Sequence, residues 1–175
     1  MKKFLQFAGL ISLVLAIVGI ILMMACHSLV YENGSVSGWY SGASAIFAKG
    51  DYQASIGGFS GTAEFDGKLA WSALLAWIFA IAAIVIVLLG VVLPLLKVKA
   101  LEKFAGLLNL IAVGLLIVGG IFVFLTKGAF AAANEWDNTN NWSLGGGWVV
   151  AAILFILAGV VAVLPAAFDF LGKKK

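Results

Sequence analysis

Four long apolar stretches constrain this chain more than any other feature of its sequence. They cover residues 4–26, 69–96, 104–125 and 148–168, and none contains a lysine, an aspartate or a glutamate. A membrane-spanning helix needs about 20 consecutive apolar residues, because the hydrocarbon core of a bilayer is about 30 Å thick. The sequence therefore predicts an all-α membrane protein, a bundle of four transmembrane helices forming one membrane domain over residues 1–175.

The distribution of lysines predicts the orientation of the chain. Eight of the 11 lysines lie at the termini or between the second and third stretches, where with Glu102 and Asp169 they give a net charge of +6. The loops 27–68 and 126–147 together carry three lysines and six carboxylates, a net charge of −3. Since positive segments stay on the cytoplasmic side, we expect both termini in the cytoplasm and both loops outside the cell, in the plasma membrane. The exclusive use of lysine as the basic residue is typical of AT-rich bacterial genomes.

The same composition excludes several classes of function. Hydrophobic residues make up 63% of the chain and charged residues 11%, against about 25% charged in soluble domains, so no room remains for a soluble enzyme domain. The basic segments indicate contact with lipid headgroups rather than nucleic acid. One cysteine cannot form an intramolecular disulfide. We therefore expect no enzymatic activity, no cofactor and no metal centre.

An internal repeat divides the chain into two similar parts. Residues 57–94 match residues 128–165 at a constant offset of 71 positions. The matched pairs include Glu64-Phe65-Asp66 with Glu135-Trp136-Asp137, Trp71 with Trp142, Trp77 with Trp148, and Pro94 with Pro165. The repeat predicts two helical hairpins of the same orientation, the first carrying an insertion around residues 31–56. The four matched tryptophans are predicted to anchor the helices at the membrane interface.

The first outer loop is predicted to be folded. It is rich in glycine and serine but also in aromatic residues, which disordered linkers lack. Asn33-Gly34 is a plausible tight turn, and short β-strands are compatible with the loop. Aromatic residues are common anchors at protein interfaces, so the hypothesis is that this loop binds a partner through Trp39, Tyr40, Tyr52 and Phe59.

The general plan resembles that of the claudin-type tetraspan proteins. The features in common are four spans, cytoplasmic ends, a long first and a short second outer loop, Ala105-Gly106-Leu107-Leu108 in the third span and Gly147-Trp148 opening the fourth. The first-loop pattern of that family, with two cysteines, is missing, and Gly38-Trp39-Tyr40 is the nearest stretch. The resemblance implies a four-helix bundle that associates laterally and organises the membrane.

The two acidic pairs are the best polar candidates for a ligand site. If the hairpins pack about a twofold axis, Glu64 and Asp66 could approach Glu135 and Asp137, and four carboxylates together could hold a hard cation such as calcium. The alternative is that each pair leads into its helix, where carboxylates favour the positive end of the helix dipole.

The segment Met24-Ala25-Cys26 allows two interpretations. It resembles the end of a lipoprotein signal, in which cleavage leaves a lipidated Cys26, although the preceding apolar run is long for such a signal. The alternative is an ordinary cysteine at the end of the first span. Beside it, His27 is the only histidine and is expected to be an interfacial side chain rather than a metal ligand.

Together these features predict a non-enzymatic tetraspan that associates with itself or scaffolds another membrane protein through its first outer loop. The alternative is a small channel or transporter subunit for an uncharged solute, along a path lined by Ser12 and Asn109. These two polar residues match in the repeat, but intramembrane polar side chains commonly bond to neighbouring helices instead.

Overall fold

The computed structural model describes residues 2–95 and 99–171, with the surroundings of side chains over 7–90 and 107–167. Lys97 and Lys173–Lys175, which contribute to the predicted orientation, lie outside the described residues. The helices are α1 (Lys2–Ala25), α2 (Gly42–Phe47), α3 (Trp71–Leu95), α4 (Lys99–Phe124), α5 (Thr126–Ala133) and α6 (Gly146–Leu171). The strands are β1 (Leu29–Asn33), β2 (Val36–Tyr40), β3 (Lys49–Ile56), β4 (Phe59–Asp66) and β5 (Trp142–Leu144).

Four of the helices, α1, α3, α4 and α6, are long and apolar enough to cross a membrane. Their apolar segments are Phe7–Ala25, Trp71–Gly90, Leu107–Phe124 and Gly146–Ala167. Large apolar side chains such as Val14, Val85 and Val160 are exposed on the outside of the bundle, where lipid would surround them. The prediction of four helices with the length and composition of membrane spans is confirmed.

Small residues set the helix packing. Going round the bundle, α1 packs on α6, α6 on α4 and α4 on α3, whereas α3 contacts α1 least closely. A side chain at Gly120 would meet the main-chain oxygen of Ala152, and one at Gly159 that of Val113. Small residues let membrane helices approach closely. This close packing holds the helices together, because in lipid the hydrophobic effect does not drive one helix against another.

Two polar side chains of the predicted spans lie against neighbouring helices. The Ser12 hydroxyl, fully buried, donates a hydrogen bond to the main-chain oxygen of Ala158 in α6 at 2.8 Å. The Asn109 amide in α4 lies against Gly90 in α3, where an added Cβ would be 2.7 Å from its Oδ1. Ser12 and Asn109 therefore occupy comparable places, each between the two predicted hairpins.

The loop between α1 and α3 forms most of a five-stranded antiparallel sheet, in the order β4-β3-β2-β1-β5. It lies at the end of the bundle where α1 and α4 end and α3 and α6 begin. The turn between β3 and β4 consists of Gly57 and Gly58, both with positive φ, as a tight two-residue hairpin turn requires. The short β-strands with which the loop sequence is compatible are thus present, and the loop is folded as expected.

Candidate interaction surface of the sheet

Over strands β3 and β4, the sheet has one apolar and one polar face. Successive strand residues point to opposite faces, and residues paired across strands share a face. The apolar face carries Val36, Gly38 and Tyr40 of β2, Gly50, Tyr52, Ala54 and Ile56 of β3, and Phe59, Gly61, Ala63 and Phe65 of β4. The polar face carries Lys49, Asp51, Gln53 and Ser55 of β3 and Ser60, Thr62, Glu64 and Asp66 of β4.

The half of the apolar face nearest the helices is covered by an aromatic cluster, defined as Tyr40, Tyr52, Phe65, Phe130, Trp136 and Trp142. Tyr40 is its centre, with ring centroids 4.7 Å from Tyr52, 4.8 Å from Phe65 and 5.0 Å from Phe130. Phe130, in α5, is fully buried there. Burial, and then the neighbouring Tyr52, raise the pKa of Tyr40 to about 12. The cluster attaches the sheet to the segment that follows α4.

The other half of the apolar face, which we call the distal patch, is not covered by this cluster. It consists of Val36, Ala54, Ile56, Phe59 and Gly61, around the Gly57-Gly58 turn. Phe59 is 86% exposed and Ile56 is 61% exposed. Because a strand rises about 3.3 Å per residue, the turn lies about 25 Å along β3 from Lys49, at the end of the sheet away from the helices.

The four residues of the interaction hypothesis therefore lie in different environments. Tyr40 and Tyr52 lie in the aromatic cluster, and Trp39 stacks on the His27 imidazole with ring centroids 3.9 Å apart. Phe59 alone of the four presents most of its side chain outward.

The acidic candidates lie in two separate places, the β3–β4 ladder and the second loop. In the β3–β4 ladder, Asp66 pairs with Lys49, and Glu64 lies directly opposite Asp51. In the second loop, Glu135 forms an ion pair with Lys68, whose hydrogen bond and charge lower the pKa of the Glu135 carboxyl. Within residues 2–95 and 99–171, no three His, Cys, Asp or Glu side chains are grouped so that they could hold a metal ion.

Asn134 links the two loops. Its Oδ1 accepts a hydrogen bond from the Lys68 main-chain N–H at 2.8 Å, and its Nδ2 donates to the main-chain oxygens of Lys68 and Phe130 at 3.2 and 2.9 Å. The segment leading into α3 is thereby fixed to the end of α5.

The four tryptophans predicted as interface anchors also differ. Trp148 is fully buried, and Trp142 lies on β5 with its ring 4.5 Å from that of Trp136. Trp77 packs edge-on against Phe47 of α2, with centroids 5.2 Å apart. Trp71, at the start of α3, is about half exposed, so it alone of the four presents much of its surface outward.

Cys26 lies where α1 meets α6. A Cβ on Gly147 would collide with its thiol, so glycine is required there for the two chain segments to approach. A shallow cavity of about 310 Å³ opens beside the thiol, lined by Ala25, Cys26, His27, Val30 and Gly145–Gly147. The structure thus gives Cys26 a packing role between two helices.

Sequence reasoning missed Ile56, Ala54 and Gly61 as members of the exposed surface. A signal was present, because residues 49–56 and 59–66 alternate strictly between polar and small or apolar residues. Such alternation is typical of a half-buried strand. The contact between Phe130 and Tyr40, 90 residues apart, leaves no comparable local signal.

No protein-family model matches this sequence, and no curated protein matches it either. The architecture itself, four candidate membrane helices beneath a small antiparallel sheet, is consistent with a tetraspan membrane protein.

Proposed function

We propose that this protein is a non-enzymatic tetraspan of the cell membrane that associates with a second copy, or with another membrane protein, through its first outer loop. The observation that carries the proposal is the exposure of the large apolar side chains Phe59 and Ile56 at the tip of the sheet. Burying such side chains stabilises a complex by about 1.5–3 kcal/mol each, whereas leaving them in water gains nothing for the fold. Exposed apolar patches of this kind mark interaction sites.

The sheet is proposed to lie outside the cell, with both termini in the cytoplasm. The support is the difference in charge between the two sides of the sequence, +6 against −3. In a Cys26→Ser background, a membrane-impermeant thiol reagent should label Ser55→Cys in intact cells. If labelling requires permeabilised cells, the orientation is the reverse of the one proposed.

A claudin-like plan built from two repeated hairpins is part of the same proposal. It is supported by the comparable positions of Ser12 and Asn109, each placed between the hairpins. The cysteine-free first loop means that the likeness extends to the four-helix plan and lateral association only.

Conduction of a solute receives no support from Ser12. Ser12 is fully buried and its hydroxyl is bonded to Ala158, so it lines no open path in this structure. Lateral association is accordingly the function we propose.

Cys26 is proposed to remain in an uncleaved chain. Cleavage before it would remove α1, which packs on α6 through the Ser12 hydrogen bond and through Gly19, whose main chain lies against the Phe155 ring. A lipidated, shortened subunit in the mass spectrum would contradict this.

The association itself is tested by native mass spectrometry of the full chain, extracted from its own membrane into nanodiscs. We expect a defined homo-oligomer or a complex with one other membrane protein. The double variant Ile56→Ser/Phe59→Ser should shift the spectrum towards the monomer, while the matched variant Ser55→Ala/Ser60→Ala on the polar face should not. A monomer free of partners for the unaltered chain would overturn the proposal.

A further inference from the structure

We propose that the distal patch packs face to face against the distal patch of a second copy in the same membrane, forming a two-sheet interface about a twofold axis. This rests on the proposed function, and it names the partner and the surface. It makes the unpaired face of the sheet, rather than the β4 edge or the helices, the site of self-association.

Charge favours a second copy on this face and on no other face of the sheet. Val36, Ala54, Ile56, Phe59 and Gly61 are uncharged, so two copies meeting here bring no charges together. The polar face presents four carboxylates and one lysine, namely Glu32, Asp51, Glu64, Asp66 and Lys49. A twofold contact through that face would set carboxylates against carboxylates, and like charges brought together oppose association.

The strand order fixes which residues meet. The patch is carried by β2, β3 and β4, with β3 in the centre. Two copies in one membrane share the same direction along the membrane normal. In the proposed arrangement β3, which runs from Lys49 at the helix end of the sheet to Ile56 at the tip, lies roughly along the twofold axis. Ala54 and Ile56 then face their own counterparts. Phe59 on β4 faces Val36 on β2 of the second copy.

The side-chain sizes suit such a contact. Packed sheets lie about 10 Å apart, a gap that large side chains from both sides must fill. Ile56 and Phe59 supply them at the tip, and Gly61, which has no neighbouring atom within 4 Å of where its Cβ would be, leaves space beside them. The Phe59 ring can therefore lean inward without collision.

The available area predicts a weak contact. Taking about 200 Å² for a phenylalanine, Phe59 and Ile56 together expose about 300 Å² per copy. Two copies with their small neighbours bury about 800 Å², below the 1,200–2,000 Å² of stable complexes in solution. Confinement to one membrane raises the effective concentration of the second copy, so we expect dimers in the membrane and dissociation in dilute detergent.

Two adjacent residues on β3 provide the first test. In a Cys26→Ser background, the full chain carries Ala54→Cys on the apolar face or, as the matched control, Ser55→Cys on the polar face. Cross-linking with a short bis-maleimide in native membranes should give several-fold more dimer for Ala54→Cys. Equal or greater cross-linking of Ser55→Cys would overturn the face-to-face arrangement.

A second pair of variants changes Phe59 and Ser60, which are both exposed, so neither substitution should disturb folding. Energy transfer between two fluorescently labelled populations of the chain reports association in the membrane. Phe59→Lys should weaken it about tenfold or more, because both copies lose their largest apolar contact and gain a charge. Ser60→Lys adds the same charge on the polar face and should leave association unchanged.

The two proposals fail in different ways. Energy transfer absent from the unaltered chain at every surface density would remove self-association altogether. Energy transfer present but unaffected by Phe59→Lys would keep self-association and overturn the interface proposed here.

Discussion

The indole Nε1 of Trp148 in α6 donates a hydrogen bond to the main-chain oxygen of Met23 in the last turn of α1, at 3.0 Å, and both residues are fully buried. Carbonyl groups in the last turn of a helix have no partner within the helix. A side chain from the other predicted hairpin thus satisfies the end of α1. Trp77, its counterpart in the repeat, packs on Phe47 instead, and its Nε1 finds no hydrogen-bond partner among the residues described.

This difference between the two tryptophans predicts unequal effects of the same substitution. Trp148→Phe should lower the free energy of unfolding by about 1–3 kcal/mol, because it leaves the buried Met23 oxygen unpaired. Trp77→Phe keeps an aromatic ring and breaks no hydrogen bond, so it should cost less. Thermal unfolding of both variants in the same detergent measures the difference. Equal losses would show that ring size, not the hydrogen bond, matters at Trp148.

The start of α2 should tolerate no side chain. A Cβ at Gly42 would collide with the main-chain oxygen of Met23, and a backbone atom cannot move aside cheaply. Gly42→Ala should therefore destabilise the protein by about 1–3 kcal/mol. Gly128→Ala in α5 is the control, because nothing lies within 4 Å of its added Cβ. That substitution should be neutral or stabilise by up to about 1 kcal/mol, since alanine favours a helix over glycine. Destabilisation by both variants would contradict this reading of the packing.

The link between the two loops should depend on Asn134 rather than on its charged neighbour. Asn134→Ala removes one accepted and two donated hydrogen bonds. It should lower stability by about 1–3 kcal/mol. Glu135→Gln removes only an exposed ion pair with Lys68, and exposed pairs contribute little. Unfolding temperatures of the two variants, measured at low and high salt, separate these contributions. A larger loss of stability for Glu135→Gln would show that the ion pair, rather than Asn134, holds the two loops together.

Alkaline pH should loosen the aromatic cluster. The pKa of Tyr40 is raised to about 12 from its ordinary 10.0, so the folded state holds this proton more tightly than the unfolded state. The stability gained from the neutral phenol is complete below pH 10 and is lost as pH rises towards about 12. Phenolate absorbance should show a late step that Tyr40→Phe removes. If the step survives the substitution, another tyrosine is responsible.

Much of the sheet was readable from local sequence, although the prediction went no further than short strands. The alternation Lys49-Gly50-Asp51-Tyr52-Gln53-Ala54-Ser55-Ile56 assigns each residue to a face once β3 is accepted as a strand. The Gly57-Gly58 pair marks the turn for the same local reason, since glycine readily adopts positive φ. Local sequence does not predict that the distal patch is uncovered. That depends on where α5 ends and on how far Phe130 and Trp136 reach over the sheet.

The candidate interaction residues also divide into a part that local sequence predicts and a part that only tertiary contacts decide. Aromatic composition identified Tyr40 and Phe59 alike, because a sequence records that a side chain is apolar but not which other apolar side chain meets it. The structure places Tyr40 in the cluster, with Phe130 from a distant segment, and leaves Phe59 outside.

By itself, the sequence determined the four candidate membrane helices, because an apolar stretch must satisfy its backbone hydrogen bonds within its own helix, which requires only local information. The tertiary structure alone decided the cyclic order of those helices, the pairing of β5 with β1 and the face of the sheet that remains uncovered. These features arise from contacts between residues far apart in the chain. Such contacts depend on which small residues allow close approach and which side chains fill the remaining space, and periodicity does not encode that choice.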